Sequence, residues 1–404
     1  MDVLKLEPRV GRTDQNGQML DRNRRKYLME KRKMEKLGIE TSLLGFGCMR
    51  FPTLEDGSID EVLAEQMLDE AYARGVNYFD TAYPYHDGDS EPFVGRVLDK
   101  YDRSSYYLAT KLPIWQVKSR EQAEELFLSQ LERLHKDYVD FYLIHAMDRR
   151  RFEHMKDLHI LDMCEDMRRQ GKIRYIGFSF HDKYEVFEQI LTYYHWDFCQ
   201  IQYNYMDTKE HPGDRGYELA EKLGVPMVIM EPVRGGLLSG FSADVEQVFN
   251  SVRPGASVSS WALRWVASHP NVKVILSGMS SPEQVRDNLD TFTDYQEMTQ
   301  KEKDTVDQVV GILRSRVQNG CTGCRYCMPC PMGVNIPRNF RLWNDYHMYR
   351  KYEIVKEPWE HMPGSERPTN CVECGKCEGQ CPQKISIRED LKKVQRELSD
   401  PIFR

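Results

Sequence analysis

Between residues 40 and 292, eight short runs rich in apolar and β-branched side chains alternate with longer amphipathic stretches, and few folds accommodate that alternation. The runs are SLLGFG (42–47), VNYFD (76–80), SYYLAT (105–110), YVDFYLIH (138–145), IRYIGFS (173–179), FCQIQY (198–203), PMVIM (226–230) and VKVILS (272–277). Helical periodicity fills residues 59–75, 119–135, 158–172, 183–194, 216–224 and 255–269. Strands separated by helices run parallel, because a parallel pair needs a crossover. Eight such units over about 250 residues predict an α/β fold, a (β/α)₈ TIM barrel. A doubly wound open sheet is the rival, and the absence of G-x-G-x-x-G after the first run argues against it.

Cysteine placement divides the chain. Of eleven cysteines, Cys48, Cys164 and Cys199 are scattered and read as small buried hydrophobes, while eight crowd into residues 321–381. Cys321, Cys324, Cys327 and Cys330 are followed by Pro331; Cys371, Cys374, Cys377 and Cys381 are followed by Pro382. The second run is C-x2-C-x2-C-x3-C-P, the bacterial ferredoxin spacing, in which the fourth cysteine ligates the other cluster. The first run is one residue short before its last cysteine. Two [4Fe–4S] clusters are therefore predicted, one on Cys321, Cys324, Cys327 and Cys381, the other on Cys371, Cys374, Cys377 and Cys330, with a single cluster and structural zinc as the alternatives. Residues 335–357 between the runs have helical spacing, so the module is expected to be mainly helical. The domain reading is an extension over 1–28, expected to be disordered, a barrel over 29–296, a connector helix over 297–318 and a 4Fe–4S domain over 319–404.

Composition narrows the setting. A net charge of -7 argues against nucleic acid or an anionic membrane as the main partner. No apolar run approaches the roughly 20 residues that span a bilayer. Clustered cysteines suit metal in a reducing compartment, so a cytoplasmic protein is expected.

Active sites of such barrels lie at the C-terminal ends of the strands. That location singles out Asp80 after the second run, Tyr85 five residues later, Lys111 after the third and His145 after the fourth. Hydride reduction of a carbonyl creates an alkoxide that must be protonated. A free phenol, with a pKa of about 10, is a sluggish acid, and a neighbouring Lys⁺ is expected to lower it. Asp80 would hold Lys111, and His145 would orient the substrate oxygen. Around these residues FDTAYPY, LATK and YLIHA resemble the aldo/keto reductases, a resemblance covering residues 29–292. The family spacing makes Tyr85 the general acid and leaves Tyr83 to line the pocket.

The loops EPVRGG (231–236) and SGMSSPEQVRDN (277–288) follow the seventh and eighth runs, where these barrels bind phosphate. Arg234, Gly235, Gly236, Ser277, Gly278, Ser280 and Gln284 are candidate cofactor contacts. Gly235 and Gly236 allow close backbone approach, and Ser280-Ser281-Pro282 opens a helix. The resemblance places Ser179, Gln200 and Asn288 near the nicotinamide carboxamide and the adenine end. The chain departs from the family in having Met230 where an aromatic often stacks, GFSFH at 177–181, and Gly278 or Ser280 where a basic residue grips the 2′-phosphate; Arg286 or Arg234 could substitute. NADP and NAD both stay open.

Met49, Tyr83, Trp115 and His181 would line a pocket for a small or medium carbonyl compound. A hydride carries two electrons and a cluster passes one, so exchange between the halves would need a flavin, and no motif identifies one. The reading is an NAD(P)H-dependent carbonyl reductase whose clusters relay electrons, with a ferredoxin-like or flavin-containing protein as partner. Purely structural clusters, or a redox-sensing barrel without catalysis, are the alternatives.

Overall fold

Eight parallel strands close into one barrel in chain order, and the last returns to pair with the first. In the computed structural model, residues 29–293 and 295–400 are described, so the segment read as an N-terminal extension lies outside the described residues. The strands are β3 (Leu44–Gly47), β4 (Tyr78–Asp80), β5 (Tyr107–Leu112), β6 (Val139–Met147), β7 (Ile173–Phe180), β8 (Phe198–Gln202), β9 (Met227–Met230) and β10 (Val272–Ser277). Each lies within or overlaps one of the eight apolar runs. Closure sets Ile275 of β10 beside Leu44 of β3.

Among the strands, one pair was not foreseen. A hairpin of β1 (Lys31–Met34) and β2 (Ile39–Ser42) precedes the barrel, turning at Gly38 with φ 68°. Its strands, KRKM and IETS, carry too much charge to read as apolar runs. Met34 is buried in the cluster formed by Tyr78, Phe141, Phe198, Val228 and Val274. Tyr78 and Phe198 open their strands, so the hairpin closes the N-terminal end of the barrel and leaves the other end for chemistry. The Phe141 ring centroid lies 5.0 Å from that of Tyr78 and 4.9 Å from that of Phe198. A Cβ on Gly177 would meet the Phe198 ring at 2.5 Å, so this layer has room only for glycine there.

Helices cover the barrel where the 3.6-residue period predicts them. Glu61–Ala73 starts at Asp60, whose carboxylate accepts the Leu63 N–H, and Arg120–Arg133 starts at Ser119, which accepts from Gln122. Arg149–Asp157 gave no such signal: its sequence is RRRFEHMKD, and only Phe152 and Met155 are buried.

The chain separates into two compact units. Among the described residues, the first holds those up to Pro232 together with Ala262–Met298, and the second holds Val233–Trp261 and those from Thr299 onward. The second unit has no strand among its described residues. Its helices include Ala243–Val252, Gln300–Ser315, Ile336–Tyr349, Glu353–Glu360 and Ile387–Ser399. A capping box of Thr299 and Glu302 starts Gln300–Ser315. Phe340, Trp343, Val355, Trp359, Leu391 and Val394 form the core. Trp343 Nε1 donates to Glu397 at 2.6 Å, satisfying the one polar atom of a fully buried ring. Residues 233–261 pack within this unit: Arg316 pairs with Asp244 at 2.7 Å, and Arg234 donates to the Tyr349 hydroxyl at 2.6 Å. Among the described residues no helix is long and apolar enough to cross a membrane.

Candidate functional site

Three consecutive strands deliver ionisable groups to the C-terminal face. Asp80 ends β4, Lys111 is next to last in β5, and His145 stands two residues before the end of β6. Lys111 Nζ donates to Asp80 Oδ1 at 2.5 Å, to the Thr81 carbonyl at 2.7 Å and to the Tyr85 hydroxyl at 3.2 Å. Gln200 Nε2 donates to the other Asp80 oxygen at 3.1 Å, which holds the carboxylate plane. The rings of Tyr85 and His145 meet edge-on with centroids 6.0 Å apart. Asp80, Tyr85, Lys111 and His145 are thus brought together. Tyr83 is not part of the cluster; the Arg133 guanidinium lies 4.9 Å from the centroid of its ring.

The electrostatics correct one expectation. Burial pushes the Tyr85 phenol above its usual range and outweighs the pull of Lys111 in the other direction. The phenol is therefore firmly protonated at neutral pH, not poised near it. Burial also disfavours the Lys111 ammonium, but Asp80 and Tyr85 together overcome it and hold the charge. His145 is kept neutral, by burial first and then by Lys111, His181 and Arg151. Its Nδ1 is buried and makes no hydrogen bond among the described residues.

The eight clustered cysteines line two cavities in the second unit, and none forms a disulfide. One cavity takes Cys321, Cys324, Cys327 and Cys381. The other takes Cys330, Cys371, Cys374 and Cys377, with Cys327 at its border. Burial and the nearness of Cys321 and Cys377 push the Cys327 thiol up to about 11. Thiolates crowded in this way need a cationic partner, which the iron of a cluster supplies. The backbone repeats as well: Gly323 and Arg325 in the first run, and Glu373 and Gly375 in the second, all have φ between 55° and 74°. Left-handed residues at matching places turn successive N–H groups into concavities of the kind that hold anionic iron–sulfur centres. The cysteine thiols lining these cavities are the donor type that iron–sulfur centres take.

A family model described as the aldo/keto reductase family matches residues 43–310. The chain belongs to that family. A second model, described as a 4Fe-4S dicluster domain, matches residues 320–385. The chain is similar to an NADH-specific methylglyoxal reductase of Escherichia coli, 26% identical over 299 residues that cover 63% of this chain and 89% of that one. It is 25% identical over 310 residues to an L-galactose dehydrogenase of Arabidopsis thaliana, covering 70% of this chain and 94% of the relative. Among solved structures, the holo form of an aldo-keto reductase from Bacillus halodurans is 28% identical with a TM-score of 0.58, covering 69% of this chain and 96% of that one.

The aldo/keto reductase barrel leaves the remaining candidate residues in three groups. Ser179 is buried, and its hydroxyl accepts the Ala146 N–H at 2.7 Å; Gln200 reaches Asp80. After β10, Asn288 Nδ2 donates to Ser277 Oγ at 2.8 Å, and both residues are buried. Ser280 N–H donates to Gln284 Oε1 at 2.8 Å, one residue before the Ser281 cap of helix Pro282–Phe292. Arg234, Gly235 and Gly236 fall in the second unit, where Tyr349 engages Arg234. Arg286 pairs on the surface with Glu70 at 3.1 Å.

Sequence reasoning missed Arg50. A Cβ on Gly278 would lie 2.8 Å from Arg50 Cγ, and Ser280 Oγ donates to the Arg50 carbonyl at 2.8 Å. The stem of an arginine thus packs beside the loop after β10, where the family's usual basic residue is missing. No sequence signal points to it, because 230 residues separate the two positions. Of the pocket candidates, Met49 and Trp115 are exposed, and His181 is drawn down to about 4 by burial, with His211 and Arg151 adding to it.

Proposed function

We propose that the barrel is a nicotinamide-dependent carbonyl reductase in which Tyr85 donates the proton. The observation that carries this reading is the position of Lys111 Nζ, fixed by Asp80 and Thr81 and in contact with the Tyr85 hydroxyl. Reduced nicotinamide, when bound, supplies a hydride to the carbonyl carbon. The carbonyl oxygen lies against Tyr85 and His145. Neutral His145 orients that oxygen, and Tyr85 gives it a proton as negative charge develops there. Lys111 stabilises the phenolate that remains, and Asp80 and Gln200 keep Lys111 from turning away. Ser179, Ser277 and Asn288 are the contacts proposed for the nicotinamide amide and the adenine end. Arg50, Ser280 and the start of helix Pro282–Phe292 would receive its phosphates.

Steady-state reduction of small aldehydes by NADPH and NADH tests the assignment. Tyr85→Phe should lower turnover by about 10²- to 10⁴-fold, the range of general acid catalysis. Undiminished turnover would remove Tyr85 from the chemistry.

The clusters are proposed to exchange single electrons with a ferredoxin-like or flavin-containing partner, the flavin pairing two of them with the hydride that nicotinamide carries. Cys324 and Cys374 are exposed, which gives each thiol set an edge open to solvent. Such centres suit the reducing cytoplasm. A second reading, that the clusters only hold the fold, is favoured by the packing of Cys321, Cys327, Cys330, Cys371, Cys377 and Cys381 against the hydrophobic core. Cys374→Ser separates the two. A folded variant with unchanged NAD(P)H turnover rules out the relay, and an unfolded one supports the structural role.

A further inference from the structure

The barrel mouth carries a fixed cation that the reaction above does not use. Arg151 stands four residues beyond the end of β6, the strand that supplies His145. Its guanidinium lies 5.0 Å from the centroid of the Trp115 ring, whose own centroid lies 5.1 Å from that of His145. Nη1 donates to the Ala146 carbonyl at 2.6 Å and approaches Asp148 Oδ2 at 3.1 Å. Both contacts use the same terminal nitrogen. Among the described residues, Nε and Nη2 have no hydrogen-bond partner, and the side chain is 33% exposed. The open Nε–Nη2 edge is the side of the fork that takes a carboxylate with two parallel bonds.

The helix accounts for only part of this arginine. Arg149, Arg150 and Arg151 fill the first turn of Arg149–Asp157, a turn with no acidic residue of its own. Positive side chains suit the other end of a helix, where the dipole is negative. The N-cap Asp148 and the Ala146 carbonyl offset that cost through Nη1 alone and leave the other edge of the guanidinium unused. The charge is also felt deeper in the site, since Arg151 adds to the influences that keep His145 and His181 neutral.

We infer that the substrate of this reductase is a carbonyl compound bearing a carboxylate, which Arg151 grips while Tyr85 and His145 hold the carbonyl. The inference rests on the reductase reading. Trp115 touches both ends, with the Arg151 guanidinium over its ring and the His145 ring beside it. Asp148 beside the guanidinium favours a single negative charge over a doubly charged phosphate.

The test compares kcat/KM for 4-carboxybenzaldehyde and its methyl ester in wild type, Arg151→Gln and Arg151→Lys, with circular dichroism to check each fold. One charge-assisted pair is worth about tenfold, so the acid should be preferred by that factor in wild type. The preference should fall to near one in Arg151→Gln and survive in part in Arg151→Lys, which keeps the charge. Equal use of acid and ester by wild type, or a preference that persists in Arg151→Gln, overturns the subsite. Calorimetric binding of 4-(hydroxymethyl)benzoate separates the two readings if neither aldehyde is turned over. Binding about tenfold weaker in Arg151→Gln then keeps the subsite and discards the reductase. Binding indifferent to Arg151 discards both.

Discussion

At the scale of single residues, the site depends on burial as much as on charge. Lys111 alone would make Tyr85 a stronger acid, but desolvation wins and the phenol is raised. A raised phenol is fully protonated at neutral pH and ionises only on the alkaline side. Carbonyl reduction should therefore hold level through neutrality and fall only as Tyr85 loses its proton; a pH profile of kcat/KM checks this, and a fall already below neutrality would contradict it. The residue types were legible in sequence because Asp80, Lys111 and His145 sit at or near strand ends and Tyr85 follows Asp80 at a fixed spacing. The sign of the phenol shift was not, since it comes from walls supplied by distant segments. The same holds for Glu91. It is fully buried and accepts from Thr110 at 2.6 Å, Gln130 at 2.7 Å and Arg133 at 2.9 Å. Gln130 also donates to the Lys111 carbonyl, and Arg133 to the Gly88 carbonyl beside Tyr85. Arg133→Met would strand the carboxylate and should cost about 3 kcal/mol in urea unfolding.

At the scale of elements, the eight barrel strands were legible because a strand buried on both faces is a continuous apolar run. The hairpin β1–β2 was not, because Met34 is the one buried apolar side chain in its strands and the other buried residues, Thr41 and Ser42, are polar. Strand interiors carry a further constraint that no pattern reveals. Gly177 lies beside Phe198 in register, and its missing side chain makes room for that ring. Gly177→Ala should therefore destabilise the barrel by about 1–3 kcal/mol, read as a lowered Tm. A neutral substitution would mean that Phe198 can move aside.

At the scale of the whole molecule, one chain joins an aldo/keto reductase barrel to a helical module that matches a 4Fe-4S dicluster domain. The cysteine repeat made the module legible, and helical spacing between the runs showed its class. What the sequence could not show is that residues 233–261 pack with the second unit, because that grouping is set by contacts and not by chain order. The two cavities draw Cys381 to the first run and Cys330 to the second. Double variants test this crossing. Cys321→Ser with Cys381→Ser should injure one cluster and leave about four irons per chain, whereas Cys321→Ser with Cys371→Ser should injure both. Equal loss in the two pairs would contradict the crossed sets.

Carbonyl reduction by nicotinamide with Tyr85 as proton donor is the reaction proposed for this barrel. Anaerobic single turnover of the iron-reconstituted protein, mixing NADPH or NADH with an aldehyde and following reduced-nicotinamide and iron–sulfur absorbance together, puts it to the test. Reduced nicotinamide should be lost in step with alcohol formed, and Tyr85→Phe should be slower by orders of magnitude. No loss in the wild-type protein, or the same rate in Tyr85→Phe, would contradict it.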